Sequence, residues 1–204
     1  MDAIEENKRG DEHSVKVSLL RAGITLFAEK GYASTAVREI VALAGVTKPV
    51  LYYYFQNKEG LFRAILDAAA QRHKELLAEA LGMPGMVLER LTLLYRRIYQ
   101  ELAENRDLFR MIHNLIFGPP QGGPPYDAER YHEQMLEAVK TIYKQGMEQG
   151  EVIKTDLDEV AMMVVGLTDY CFHLDYLHPE NTDPDRVERM LELAFRGLLQ
   201  RNDE

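Results

Sequence analysis

Three consecutive tyrosines occupy positions 52 to 54 of this 204-residue chain, between Leu51 and Phe55. If this segment is helical, successive side chains point about 100° apart, so the three rings cannot all enter one core. An exposed tyrosine can donate its hydroxyl to a phosphate oxygen or place its ring against a thymine methyl group. The same rings could instead form an aromatic cluster that stabilises the fold, and the spacing alone leaves both interpretations open.

The elements that must position these tyrosines are two short helices between residues 36 and 55. Apolar residues at helical spacing predict that the first helix ends at Gly45. Thr47 is a suitable cap for the second helix, and Pro49 is tolerated in its first turn, where an amide hydrogen is not needed. Two short helices joined by a tight turn form a helix-turn-helix motif, whose second helix enters the major groove of DNA. With Leu51 and Phe55 facing inward, the outward side chains are Lys48, Pro49, Val50, Tyr52 and Tyr53, with Tyr54 at the margin.

The charge of the chain is unevenly distributed. The formal net charge of −9, from 24 Lys and Arg against 33 Asp and Glu, argues against a polyanionic partner when it is taken as a whole. Residues 13–60, however, hold six Lys and Arg against three Glu, a local net charge of +3. A mildly basic segment on an acidic body suggests a nucleic-acid partner, although such a segment is also common in proteins that do not bind DNA.

Helices are the only regular secondary structure that the sequence predicts. Apolar residues recur at helical spacing, Gly and Pro clusters separate the segments, and we find no alternating strand pattern and no internal repeat. We therefore expect an all-α fold of about nine helices, three short ones followed by six longer ones. The single Cys171 excludes an intrachain disulfide and fits a reducing cytosol. Without a long apolar run or a secretion-type N-terminal segment, we expect the protein in the cytoplasm, with no membrane partner.

Residues 15–66 resemble the DNA-binding domain of TetR/AcrR-type transcriptional regulators. The resemblance covers about a quarter of the chain, and its motifs follow one another in the family's order and spacing. The remaining residues match the family only in length and helical character. The matching stretches are Leu19-Leu20-Arg21-Ala22, Leu26-Phe27-Ala28-Glu29-Lys30-Gly31-Tyr32, Thr35, Ile40-Val41 before Ala44-Gly45-Val46, Leu51-Tyr52-Tyr53-Tyr54-Phe55 and Asn57-Lys58-Glu59-Gly60-Leu61-Phe62.

The resemblance implies a homodimer in which each subunit places its third helix in one major groove of a palindromic operator. Lys48 and Pro49 replace smaller residues that are commoner in the family, and Val41 stands where Ala is frequent, so the operator sequence cannot be borrowed from a relative. The DNA-binding residues carried over are Lys48, Pro49, Val50 and Tyr53 at base-reading or neighbouring positions, Thr35, Tyr52 and Lys58 at phosphate-contact positions, Tyr54 at a backbone-contact position, Arg38 on the second helix, and Thr47 at the N-terminus of the third helix.

Residues 1–13 are polar and unpatterned, which predicts a flexible arm. The resemblance implies a helix-turn-helix domain at 14–60 and an effector-binding and dimerisation domain at 61–204. Each candidate for the effector pocket also has a plainer interpretation as a core or surface residue, which residues of these types more often are. Asp169 and His173, four residues apart, could bind a metal, but a two-residue match is a weak signal, and we expect neither a metal nor a cofactor. The pocket candidates, which combine apolar and polar groups, are Tyr95, Tyr99, Met111, His113, Phe117, Tyr143, Met147, Asp169, Phe172 and His173.

The last two helices are expected to form the dimer interface. An apolar stripe in the final helix favours this assignment, although a helix buried within one chain would show the same pattern. The interface candidates are Val187, Met190, Leu191, Ala194, Phe195 and Leu198.

Two other classes of protein remain as alternatives. An all-α enzyme with an incidental helix-turn-helix is not supported by any phosphate-binding glycine loop, zinc-protease histidine pair or nucleophile elbow. A protein that kept the fold and lost DNA binding is disfavoured by the intact Thr35, Arg38, Tyr52 and Lys58. We therefore expect a non-enzymatic, ligand-responsive dimeric repressor, released from its operator by a small hydrophobic or aromatic inducer.

Overall fold

The computed structural model describes residues 2–118, 122–127, 129–178, 180, 183 and 185–196, with the backbone alone for residues 2–12. These residues form nine α-helices and no β-strand, which confirms the predicted all-α class. None of the described helices combines the length and the apolar character needed to cross a membrane. In chain order the helices are α1 (Asp2–Ser34), α2 (Val37–Leu43), α3 (Lys48–Phe55), α4 (Lys58–Gly82), α5 (Val87–Glu104), α6 (Arg106–Phe117), α7 (Glu129–Glu148), α8 (Leu157–Leu177) and α9 (Arg186–Phe195).

Helix α1 differs from the prediction at its N-terminal end. It begins at Asp2, so the backbone of residues 2–13 is helical where the sequence predicted an arm. This segment lacks an apolar stripe, and its composition is mixed: Glu5, Glu6 and Glu12 favour a helix by intrinsic propensity, whereas Gly10 disfavours one. At the other end, Gly31 has φ 75° and ψ 169° and interrupts the helix at the position where the sequence predicted its stop.

The chain divides into two compact units. The N-terminal unit comprises Met1–Gln71 and Asn105–Ala128, and the C-terminal unit comprises Arg72–Glu104 and Glu129–Glu204. The predicted boundary after residue 60 differs from this division, because α4 continues to residue 71 in the N-terminal unit and α6 belongs to the same unit. A hydrogen bond of 3.1 Å from the Thr25 hydroxyl of α1 to the Asp107 carboxylate of α6 is one contact that holds α6 there.

The N-terminal unit has a core to which all of its helices contribute. Leu19, Ile40, Leu51, Leu61 and Leu66 are fully buried in it, and each such side chain contributes about 1.5–3 kcal/mol relative to an exposed one. The inward face of α3 is thereby fixed against α1, α2 and α4. Its outward face follows from the helical geometry and needs no further contact.

The C-terminal unit has its own core, formed by α5, α7, α8 and α9. In it Val187, Leu191 and Phe195 of α9 are buried within the single chain. The same chain therefore covers this stripe, and the sequence pattern alone does not reveal whether an apolar stripe is covered by the same chain or by a second copy. The assignment of these residues to the dimer interface stays a prediction. Ala194 is half-buried and Met190 is exposed, while Leu198 lies outside the described residues.

A buried cation, Arg90 of α5, fixes the end of α4 within this unit. Its guanidinium donates to the carbonyls of Ala80 at 3.3 Å and Leu81 at 3.0 Å, and to the side-chain oxygen of Gln145 on α7 at 2.7 Å. Carbonyls in the last turn of a helix lack partners within that helix and carry the negative end of its dipole, so they can stabilise a buried cation. Arg90 thus joins three helices through hydrogen bonds.

Candidate nucleic-acid interface

Helix α3 is positioned by the tight turn that precedes it. Gly45 has φ 69°, a backbone conformation that favours glycine, and the Val46 amide donates to the Val41 carbonyl at 2.9 Å. Thr47 occupies the N-cap position, and the helix starts at Lys48. Because α2 and the turn are fixed by the core, the direction of α3 is set before any DNA contact is made.

The outward face of α3 is rich in tyrosine. Leu51 and Phe55 are buried, whereas Tyr53 is 74% exposed and Tyr52 is 46% exposed. The prediction that the three tyrosines cannot all be core is therefore confirmed. Tyr54 is half-buried, and its ring meets that of Tyr53 edge to face, with 5.0 Å between the centroids. Packing and solvent exposure are thus divided among neighbouring tyrosines.

The N-terminal part of α3 and the surface of α2 add polar and charged groups. Lys48, Pro49 and Thr47 are exposed, Val50 is half-buried, and Arg38 is exposed on α2. The Thr47 side chain makes no capping hydrogen bond, so its hydroxyl is not engaged in the start of α3. This set has the composition that DNA contacts require, with cations and hydroxyls for phosphates and amphipathic side chains for base edges.

Glu39, the acidic residue of α2, has its negative charge paired within the unit. Its carboxylate accepts a hydrogen bond from Lys30 Nζ at 2.7 Å and another from the Ala36 amide at 2.9 Å. The Lys30 ammonium, followed by the backbone amide, lowers the pKa of Glu39. Glu39 therefore stays ionised and closes the first turn of α2, as a carboxylate at the third helical position does in a capping box.

Thr35 does not lie where the resemblance placed it. Its side chain is 1% exposed, and its hydroxyl donates to the carbonyls of Gly31 at 2.8 Å and Leu26 at 3.2 Å. The residue before α2 is Ala36, not Thr35. In this structure the hydroxyl satisfies carbonyls at the end of α1, which does not support a phosphate contact by the Thr35 side chain; that assignment stays a prediction.

Lys58, the other predicted phosphate contact outside α2 and α3, also has partners within the unit. Its ammonium donates to the carbonyls of Tyr32 at 2.8 Å and Thr35 at 2.9 Å. The same nitrogen lies 4.1 Å from the centroid of the Tyr32 ring, a cation–π distance. Partial burial lowers the pKa of Lys58.

The predicted pocket residues fall into both units. Met111 is part of the core of the N-terminal unit, and His113 is buried between the rings of Phe109 and Phe117 of the same helix. Phe117 itself is exposed. Packing within the N-terminal unit therefore explains Met111 and His113, and Phe117 is the last residue of α6.

The other pocket candidates belong to the C-terminal unit, where an aromatic cluster is formed by Tyr95, Tyr99 and Phe172. The Phe172 ring lies 6.3 Å from each of the two tyrosine rings. Burial raises the pKa of the Tyr95 hydroxyl, and Asp169 adds to that rise. The Asp169 carboxylate lies 3.2 Å from Nδ1 of His132 on α7, so its structural partner is a histidine of another helix.

The remaining candidates of this unit have separate surroundings. Tyr143 is fully buried, and its hydroxyl donates to the Ile153 carbonyl at 3.1 Å. Met147 is half-buried. The His173 ring stacks on that of Tyr170, at 6.5 Å, on α8. Among the residues that the structure describes, no group of three or more His, Cys, Asp or Glu side chains could hold a metal ion.

Three residues that position these groups were not found from the sequence. Glu39 carries a recognisable signal, since it lies three residues after the N-cap. Tyr32 and His132 carry no such signal, because their partners Lys58 and Asp169 lie far along the chain and on other helices. Only the packing of the helices brings these pairs together.

A family model matches the N-terminal part of the chain, and individual known proteins match most of its length. The family model described as bacterial regulatory proteins, tetR family, matches residues 19–65, which include α2 and α3. The uncharacterized HTH-type transcriptional regulator YdgC of Bacillus subtilis (strain 168) is 25% identical over 91% of this chain and 93% of its own length. A second regulator of that organism, YerO, is 39% identical over 91% of this chain and 64% of its own length.

Solved structures give the same result for the fold. CprB from S. coelicolor A3(2), described as a TetR family protein, aligns with a TM-score of 0.73 at 26% identity, over 95% of this chain and 92% of its own. A gamma-butyrolactone receptor described as ArpA-like aligns with a TM-score of 0.72 at 25% identity, over 93% and 90% of the two chains.

Proposed function

Because this chain belongs to the TetR family of DNA-binding transcriptional regulators, we propose that it is a homodimeric repressor whose operator is a palindrome. A small hydrophobic or aromatic inducer that binds the C-terminal unit releases the DNA. The observation that carries the proposal is the division of α3, with Leu51 and Phe55 buried and Lys48, Tyr52 and Tyr53 exposed. A helix of this kind can enter a major groove without disturbing the core that holds it.

The exposed side chains of the interface divide the work of recognition. Lys48 and Tyr53 face outward at positions from which base edges are read, and Arg38 on α2 can grip a guanine with two hydrogen bonds. Tyr52 and the N-terminus of α3 at Thr47 supply donors for phosphates. In a dimer these contacts are doubled, so affinity follows the local contacts although the net charge of the chain is −9.

The dimer forms through α8 and α9, on surfaces other than the buried stripe of α9. On α8, Met162 is 69% exposed and Tyr170 is 60% exposed, and Gly166 between them adjoins open space. Residues four and eight positions apart lie on one face of a helix, so these three form a continuous surface. On α9, Met190 and Leu193 are exposed. Apolar side chains in this arrangement are typical of a surface that a second subunit covers.

Sedimentation measurements test the dimer. We expect Met162→Glu to convert the protein to a monomer with unchanged helix content, because the new carboxylate would be buried against the partner. Met86→Glu is the matched control, since Met86 is exposed outside α8 and α9. Equal dimerisation of both variants and the wild type would place the interface elsewhere.

The effector site is assigned to the aromatic cluster of Tyr95, Tyr99 and Phe172, with Asp169 and His132 as its polar members. Flat rings with a few polar groups suit a mostly apolar ligand with one or two hydrogen-bonding groups. The similarity to a gamma-butyrolactone receptor points to a ligand of similar size and polarity. A thermal-shift screen with gamma-butyrolactones and planar aromatic compounds tests this assignment. The expected hit raises the Tm of the wild type and loses its effect in a Phe172→Leu variant.

Selection of bound duplexes from a random pool tests the operator. We expect enrichment of a palindrome whose half-sites are centred about one helical turn, roughly 34 Å, apart. Binding to that duplex is expected to weaken steeply between ~50 and ~200 mM salt, because counterions released from the phosphates supply much of the affinity. If no palindrome is enriched, or if affinity does not respond to salt, the proposal fails.

A further inference from the structure

Lys58, the first residue of α4, lies against the segment that joins α1 to α2. Its ammonium donates to the Tyr32 carbonyl at 2.8 Å and the Thr35 carbonyl at 2.9 Å. A lysine ammonium has three N–H groups, so two of the three are used inside the N-terminal unit. The side chain is held, and it points at backbone oxygens rather than outward from the fold.

Tyr32 completes the enclosure of this ammonium. Its ring lies 4.1 Å from Lys58 Nζ, stacks on Phe27 at 5.7 Å and meets Phe62 edge to face at 5.0 Å. Phe27 and Phe62 are core residues, so the ring cannot move without disturbing the core. The face of an aromatic ring attracts a cation, and this attraction is stronger where water is partly excluded.

The carbonyls that Lys58 binds lie where α1 ends. After Gly31 the backbone leaves the regular helix, so carbonyls in this turn need partners from outside the helix. The hydroxyl of Thr35 supplies donors to Gly31 and Leu26, and Lys58 supplies them to Tyr32 and Thr35. Both sets of bonds fix the backbone up to Thr35, and Ala36, the N-cap residue of α2, follows immediately.

We propose that Lys58 is a positioning residue for operator binding, which ties the first turn of α4 to the junction of α1 and α2 and so sets the orientation of the helix-turn-helix, and that it is not a phosphate contact. To reach a phosphate, the ammonium would have to leave both carbonyls and the Tyr32 ring. The proposal rests on the proposed operator binding. It gives α4 a charged connection to the segment that immediately precedes α2, the helix that carries Arg38 and leads through Gly45 into α3.

The salt dependence of DNA binding separates the two roles. Each phosphate contact contributes about 0.9 to the slope of log affinity against log salt, so removing one phosphate contact from each subunit lowers that slope by about 1 to 2. Replacing a positioning residue lowers the affinity at every salt concentration and leaves the slope unchanged. Lys48→Met is the matched control, because Lys48 is an exposed lysine on α3. Its ammonium would lie in the groove and displace counterions from the DNA even where it contacts a base, so its removal should lower the slope.

The experiment measures fluorescence anisotropy of a duplex enriched by the wild type, at four salt concentrations and at a temperature where circular dichroism shows each variant folded. For Lys58→Met we expect at least a tenfold loss of affinity with an unchanged slope. A slope lowered as in Lys48→Met would overturn the proposal, and so would unchanged affinity accompanied only by a lower Tm. Tyr32→Leu, which keeps the ammonium and removes the ring, should also weaken binding at constant slope, and it serves if Lys58→Met does not fold. Wild-type affinity in Tyr32→Leu would contradict the proposal. Failure of the wild type to bind any duplex would instead refute the proposed function.

Discussion

Thr35 lies just before α2 and Thr47 just before α3, and replacing each by valine should change a different property of the protein. Thr35 is buried, and its hydroxyl bonds to carbonyls at the end of α1, whereas Thr47 is exposed and makes no capping hydrogen bond. Valine has nearly the shape of threonine, so Thr35→Val and Thr47→Val remove a hydroxyl with little change in volume. One substitution should therefore affect stability, and the other should affect DNA binding.

The size of the effect at Thr35 follows from its hydrogen bonds. A hydroxyl has one hydrogen, which is directed mainly at the Gly31 oxygen at 2.8 Å and less at the Leu26 oxygen at 3.2 Å. A buried acceptor that loses its donor costs about 1–2 kcal/mol. In a chain of this length that corresponds to a decrease in Tm of about 2–8 °C. Removal of the Thr47 hydroxyl should change the free energy of unfolding by less than about 0.5 kcal/mol, as is usual for surface substitutions.

Thermal unfolding at fixed protein concentration and anisotropy titrations with the enriched duplex measure both effects. We expect Thr35→Val to lower the Tm and, at a temperature where the variant is folded, to keep the DNA affinity of the wild type. Thr47→Val should keep the Tm and lose affinity several-fold. A Thr35→Val protein with unchanged Tm and weakened DNA binding would refute the reasoning, since it would mean that this hydroxyl contacts the DNA and not the carbonyls of α1.

Three further substitutions test local features of the structure. Gln56 has φ 64° and ψ −43°, a strained conformation for a residue with a side chain. Gln56→Gly should therefore raise the free energy of unfolding, measured with urea, by about 0.5–1 kcal/mol; no gain would mean that this strain is absent in solution. Burial lowers the pKa of His73, so the folded state takes up this proton less readily than the unfolded state, and stability should fall as pH drops from about 7 to 5. His73→Phe should reduce that fall, by at most about 1.4 kcal/mol per pH unit. If the urea midpoint fell by the same amount between pH 7 and pH 5 in the wild type and the variant, this reasoning would be refuted. Arg90→Met removes donors from two carbonyls of α4 and from Gln145 and should cost about 2–4 kcal/mol, with Arg90→Lys recovering only part; a loss below about 0.5 kcal/mol would show that these bonds are not important.

The sequence was sufficient wherever the answer depended on local spacing. Leu51 and Phe55 lie four residues apart and are buried together, which leaves the intervening tyrosines to divide between the surface and the core edge. Asp156 is of a residue type that is recognisable as an N-cap from the sequence, and its carboxylate accepts from the amides of Asp158 and Glu159 at the start of α8. Helical periodicity and capping residues act within a few positions, so they can be recognised without knowledge of the fold.

The sequence was insufficient wherever the answer depended on how distant segments pack. The stripe of Leu191 and Phe195 shows that one face of α9 is buried, but not that the same chain buries it. The Thr35 hydroxyl could have bound a phosphate, and only the course of the backbone after Gly31 brings carbonyls within its reach. Met111 has the residue type of a pocket residue, but α6 belongs to the N-terminal unit, and Met111 is part of the core of that unit.

The central claim is that α3 reads the bases of a symmetric operator. Parallel selections from one random pool, with the wild type and with Lys48→Ala, test it most directly, because Lys48 is exposed at the start of the predicted reading surface. We expect the wild type to enrich a palindrome, and the variant to enrich the same palindrome with the preference relaxed or changed at one position in both half-sites. An identical preferred sequence for the two proteins, at every position, would contradict the claim.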